Sequence, residues 1–86
     1  MEEIAAAVIE QASIDFYNIL KKYINNIEKM PKKIETQLKR LIKFFKSEWY
    51  DDLASLCNFR ISGIELMKIL NQKVKDNIPM NRKAYA

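Results

Sequence analysis

The chain has 86 residues, 49% of them apolar and 30% charged, enough hydrophobic content to fold one small domain and enough charge to keep it in solution. Its formal charge of +4 excludes an acidic mimic of DNA, which must present excess carboxylate, and fits either a nucleic-acid partner or ordinary solvation. With no His and one Cys, it lacks the commonest general base, the commonest transition-metal ligand and any intrachain disulfide framework.

The first element is a long helix. From Glu3 to about Ile27, apolar residues recur at Ile4, Val8, Ile9, Ala12, Phe16, Ile19, Leu20, Tyr23, Ile24 and Ile27, which is a helical period. At about 100° per residue they cover an arc of roughly 200°, wide enough for neighbours on two sides. Ile14 falls outside that arc, either as a stray exposed residue or as part of a contact with another chain, so a homodimer is open.

Met30-Pro31 ends the first helix, because a residue before Pro is pushed out of the α region, and Pro31 suits the opening of the next. The second helix is expected to run to about Lys46, with Ile34, Leu38, Leu41, Ile42 and Phe45 as its apolar face. Lys32, Lys39, Lys43 and Lys46 lie within about 60° of one another on a different face, with Lys33 and Arg40 close by. Phe44 sits about 100° from the centre of the apolar arc.

A continuous helix would carry Asp52 into the core, so the chain must turn. A restart at Ser47 solves this: Ser is a good N-cap, and Glu48 and Asp51 then fall in a first turn whose free N–H groups favour negative charge. The third helix, about 48–57, is expected to put Trp49, Tyr50, Leu53, Leu56 and Cys57 inside and Glu48, Asp51, Asp52 and Ser55 outside. Cys57, set among Leu53, Ala54 and Leu56, reads as a small buried apolar residue.

After the connection Asn58 to Ile61, Ser62 and Glu65 have the spacing of a capping box, with Ile61 and Leu66 as its hydrophobic staple. Gly63 falls at the first helical position, where a missing side chain suits the close approach of another backbone. The fourth helix, about 63–76, places Ile64, Met67, Leu70 and Val74 inside and Glu65, Lys68, Gln72 and Lys75 outside. The expected architecture is all-α: a compact bundle of three to four helices with a long N-terminal helix, one domain over 1–76, and a basic tail over 77–86 that is disordered unless a partner holds it.

Catalysis has little to stand on. Asp51 and Asp52 are adjacent, so on a helix they point about 100° apart and cannot share one reacting atom. There is no glycine-rich loop for phosphate and no Cys pair for zinc, so the expectation is a non-enzyme without cofactor or metal. The longest apolar run, Ile4 to Ile9, has six residues and cannot span a bilayer; the Met-Glu-Glu start lacks the basic segment of a secretory signal, and a cytoplasmic protein without membrane partners is expected.

Binding remains. Lys32, Lys39, Arg40, Lys43 and Lys46 would set cations along one helix at phosphate-contacting range, although Glu35, Glu48, Asp51 and Asp52 dilute the field and a lysine face can simply be solvated. A DNA-reading helix-turn-helix over the last two helices fails, because that motif places its Gly inside a short turn and Gly63 starts a helix after a longer link. Phe44, Tyr17, Phe59 and Tyr85 are candidate rim aromatics of the kind that anchor protein interfaces, unless the core absorbs them.

The stretches FFKSEWYDDL, Phe44 to Leu53, and GIELMKIL, Gly63 to Leu70, together resemble a group of small phage and prophage proteins of Gram-positive bacteria that carry FFRSxWFxxLT followed by DGxxLIxxL. QASIDFYNIL, Gln11 to Leu20, is similar to their AxxDYxxAL segment. The longer link CNFRIS and Ser62 in place of Asp depart from that pattern. The group has no established activity, so the resemblance transfers no functional residue and implies a setting: a phage accessory gene expressed in the bacterial cytoplasm. Small phage proteins of this kind commonly bind and disable a host component. The expected function is therefore a non-catalytic accessory protein that modulates or inhibits a host or phage protein, with a defence nuclease complex of the anti-CRISPR or anti-restriction type as the candidate target. The alternative is a small basic nucleic-acid-binding protein, a regulator or packaging accessory.

Overall fold

The computed structural model of the protein describes residues 2–78. Among them run four α-helices and one 3-10 turn: α1 Glu2–Tyr23, the turn Ile27–Lys29, α2 Lys32–Phe45, α3 Glu48–Leu56 and α4 Gly63–Lys75. The expected all-α bundle is the observed one. At about 1.5 Å per residue α1 is some 33 Å long and accounts for most of the 38 Å long axis. It packs chiefly against α3 and α4, and α2 closes the remaining side.

α1 ends four residues before the expected boundary. Asn25 and Asn26 follow Tyr23, and short amide side chains favour turns over helix interiors. The chain tightens into the 3-10 turn, and Ile27 swings out to 70% exposure instead of continuing the apolar face. The buried face is also rotated from the expected arc: Ala5, Ile9, Ala12, Ser13, Phe16, Tyr17 and Ile19 are inside, while Ile4 is exposed and Val8 half-buried. Ala12 is inside as expected, and Ala5, too small to weigh in a hydrophobic pattern, joins it. Ser13 is tolerated there because its hydroxyl donates to the Ile9 carbonyl at 2.7 Å.

Tyr17 is core, not rim. Its ring is buried and its hydroxyl donates to the Ile78 carbonyl at 2.8 Å, which ties the chain beyond α4 to the long helix. Asn77 and Ile78 are ordered by a second device. Asn77 has φ 56, the Asn77 amide donates to Val74 and the Ile78 amide to Lys73, together a Schellman cap in which Asn takes the left-handed place usually held by Gly. Asn58 does the same at the end of α3, with φ 57, its amide on Ser55 and that of Phe59 on Ala54. Of the segment 77–86, expected to be a disordered tail, residues 77 and 78 make these hydrogen bonds, and the rest, including Tyr85, lies outside the described residues.

The joint between α2 and α3 is made by Ser47. Its hydroxyl donates to the Phe44 carbonyl at 2.6 Å and accepts from the Tyr50 amide at 3.2 Å, so one side chain closes one helix and opens the next. The expected restart is confirmed; the expected inner face is not. Tyr50 is 0% exposed, and Leu53 and Ala54 are buried, whereas Trp49 is 59% and Leu56 46% exposed. Only one of two adjacent aromatics can point inward. Tyr50 wins because its hydroxyl finds the Ile61 carbonyl at 2.8 Å and its ring meets Phe44 and Phe45, which leaves Trp49 about 90° from the buried centre. Cys57 is half-buried, its thiol 3.6 Å from the Ala54 carbonyl.

Ser62 caps α4 as expected, accepting from the Glu65 amide at 3.1 Å. Gly63 faces the backbone of Phe45, and a Cβ there would collide with the Phe45 carbonyl oxygen. With Gly63 held inward, Leu66, Leu70 and Val74 follow on the same face and are buried. Ile64 is consequently turned about 100° away and is 51% exposed, against expectation.

A candidate binding surface on α2

α2 presents its cations to solvent. Lys32, Lys33, Lys39, Arg40, Lys43 and Lys46 are all exposed, and Glu35 is the one acid between residues 32 and 46. This segment therefore carries a net +5, whereas the remaining residues hold nine cations against ten acids and are close to neutral. The whole positive balance of the chain sits on one helix. Glu35 pairs with Lys39 at 3.3 Å, with both side chains at least half exposed, a contact that screens readily and holds little.

The cations form two lines. Lys32, Lys39, Lys43 and Lys46 keep to one flank, as the spacing implied, while Lys33, Gln37, Arg40 and Phe44 run along the other at steps of four, three and four residues. A shallow depression lies on this second flank, lined by Lys33, Thr36, Gln37 and Arg40. The line ends in an aromatic cluster. Phe44 is half-buried, with its ring centroid 5.4 Å from Phe45 and 5.8 Å from Tyr50, and it meets the Trp49 indole edge-on at 5.2 Å and 80°. Phe45 continues the cluster to Phe16 of α1 at 5.6 Å, so the exposed indole is backed by a chain of rings reaching the core.

Each offset-edge pair contributes about 0.5–1.5 kcal/mol beyond area burial, enough to hold Phe44 in place without help from solvent-facing groups. Burial pushes the Tyr50 hydroxyl up to about 12, with the Cys57 thiol and the Asp51 carboxylate adding to the shift, so it stays a donor to Ile61 and is no acid at neutral pH. Glu48, Asp51 and Asp52 are exposed on α3, and Asp52 is the nearest of them in helical angle to Trp49, about 60° away. They dilute the field beside α3 more than along α2.

Of the rim aromatics expected from the sequence, Phe44 belongs to this surface and Tyr17 to the core. Phe59 is half-buried against the core and lines a cleft of about 210 Å³ with Ala6, Ile9, Glu10, Ser13, Cys57 and Leu66. A second cleft of about 330 Å³ lies between the end of α1, α2 and α4, lined by Leu20, Tyr23, Ile24, Ile27, Met30 and Leu38 with the polar Glu35 and Asn71. Both linings are mostly apolar, with one carboxylate each, Glu10 in the first and Glu35 beside Asn71 in the second, which is fewer polar groups than usually converge to orient a small ligand. Among the described residues no group of His, Cys, Asp and Glu is placed to hold a metal ion, and no helix is long and apolar enough to cross a membrane.

Gln37 and above all Trp49 are the surface residues that the sequence did not single out. The signal for Trp49 was present in the pair Trp49-Tyr50, whose second member alone carries a hydroxyl that can reach a buried carbonyl. Comparison with known protein families, with curated proteins and with solved structures finds no match to this chain.

Proposed function

We propose that the protein is a small non-catalytic binding protein that docks on a host nucleoprotein complex through the outer face of α2 and the adjoining Trp49, and thereby modulates or inhibits it. The observation that carries this reading is the meeting of two features at one place: a helix that holds the entire positive balance of the chain ends against a rigidly backed, exposed indole. Trp and Arg are the residues most often found at binding hot spots, and a one-signed face steers an oppositely charged partner to the encounter. The setting, a phage accessory protein acting in the bacterial cytoplasm on a defence nuclease complex, rests on the resemblance of FFKSEWYDDL and GIELMKIL. Those stretches contain Phe44, Ser47, Trp49 and Gly63, which here build the joint and the aromatic end of the surface.

The test is capture from a Gram-positive host lysate by the tagged protein and by a variant with Lys39→Glu, Lys43→Glu and Lys46→Glu, with bound protein and nucleic acid both identified. One host protein captured by the parent and lost with the variant is the expected result. Equal capture by both discards the surface. A second reading, a basic nucleic-acid-binding regulator or packaging accessory, is favoured by the concentration of cations on α2 alone. It takes first place where nucleic acid is recovered without protein and is lost on nuclease treatment.

A further inference from the structure

We infer that Lys33, Gln37, Arg40, Phe44 and Trp49 form a track for single-stranded nucleic acid, in which the cations hold phosphates and the Trp49 indole stacks on a base. This rests on the reading of α2 as the docking face, and it names which flank of that helix is used and for what chemistry.

Geometry selects the flank. The line Lys33, Gln37, Arg40, Phe44 is about 16 Å long at the helical rise, the span of a few nucleotides, and it alone leads to an aromatic ring. The opposite line of Lys32, Lys39, Lys43 and Lys46 has charge and no platform, and Glu35 already engages Lys39 there. Gln37, midway along the chosen line, can both donate and accept, so it suits a sugar or a base edge where a further cation would suit only phosphate.

The platform is fixed before any ligand arrives. Trp49 is 59% exposed, and its edge contact with Phe44, itself touching Phe45 and Tyr50, holds the indole upright. Stacking on a ring already braced by a neighbour lowers the cost of ordering it, and base–aromatic stacking contributes about 1–3 kcal/mol per base. A duplex can satisfy the cations but offers the indole no free base face, so the site distinguishes single strands. Asp52, about 60° from Trp49 on α3, repels phosphate from that side and keeps the backbone over α2.

Trp49 is the one Trp of the chain, so its fluorescence reports stacking directly. The protein is titrated at low salt with oligothymidylate, with the oligothymidylate–oligoadenylate duplex and with polyglutamate, following both indole emission and the anisotropy of labelled oligonucleotide. Oligothymidylate should bind with quenching, more tightly than either competitor, and should weaken steeply as salt rises. Trp49→Ala should lower its affinity about tenfold or more, and Lys33→Glu with Arg40→Glu should weaken it more than Lys39→Glu with Lys43→Glu. A cooperative thermal unfolding transition in each variant shows that the fold is kept.

No binding of oligothymidylate at low salt overturns the track, as does equal binding of duplex or polyglutamate, or binding that is indifferent to Trp49→Ala. If the track fails while host protein is still captured through Lys39, Lys43 and Lys46, the strand assignment alone is lost. If that capture fails too, so does the docking reading.

Discussion

α2 and α3 meet at Ser47, and they are built in opposite ways. α3, nine residues long, buries Tyr50, Leu53 and Ala54 against α1, whereas the fourteen residues of α2 bury only Phe45 and leave Ile34, Leu38, Leu41 and Ile42 half-covered. The shorter helix is the better integrated one. α2 is held firmly at its C-terminal end, where Phe45 enters the ring cluster and Gly63 admits its backbone, and more loosely toward Lys32. The contacts among α1, α3 and α4 make up most of the core, and α2 contributes one anchored end and a charged exterior.

The strongest way to break this division is at its anchor. Gly63→Ala drives a methyl into the Phe45 carbonyl, where both sides are helical backbone and neither yields cheaply, so a loss of about 3 kcal/mol or more is expected in urea unfolding. A variant as stable as the parent would mean that α2 can pivot away from α4. Next comes a matched pair of cavities. Leu70→Ala, at a fully buried site, should cost about 3 kcal/mol, and Leu38→Ala, half-covered on α2, about 1 kcal/mol. Equal losses would show α2 to be as integrated as the rest.

Tyr50→Phe should cost about 1 kcal/mol at neutral pH by leaving the Ile61 carbonyl without its donor. It also has a pH signature. Because the folded hydroxyl titrates at about 12 against an ordinary value of 10.0, the neutral form is favoured in the fold; its contribution is complete below pH 10 and is lost as pH rises toward 12. The variant should lack that part of the alkaline decline. Trp49→Ala should cost about 1 kcal/mol, through loss of its edge contact with Phe44, and the parent should emit as a water-exposed indole. Blue-shifted emission with a large loss of stability would put Trp49 back among the core residues.

The helices themselves were legible because their ends are chemical: Pro31 opens α2, and Ser47 and Ser62 cap the helices that follow them. Gly63 was legible for the same reason, since a helix start rarely needs a residue without a side chain. Facing was harder. Trp49 and Ile64 have the hydrophobicity of core residues, and what turned them outward was long-range: the Tyr50 hydroxyl reaching Ile61, and the backbone of Phe45 claiming Gly63. The inward rotation of α1 was hidden by Ala5, too small to mark a face, and by Ser13 and Tyr17, whose hydroxyls are satisfied by the Ile9 and Ile78 carbonyls. On the surface, the charge of α2 could be read directly, but its alignment with Trp49 depended on the angle at which Ser47 joins two helices.

The Phe45–Gly63 contact also bears on how this protein can vary. It concentrates the requirement for close backbone approach in a single position, buried and remote in sequence from the cationic face, so the exposed residues of α2 are released from any duty in folding. A lineage, or a library randomised at Lys33, Gln37, Arg40, Lys43 and Trp49, can therefore vary the exposed surface while retaining the same scaffold, provided that glycine is kept at position 63.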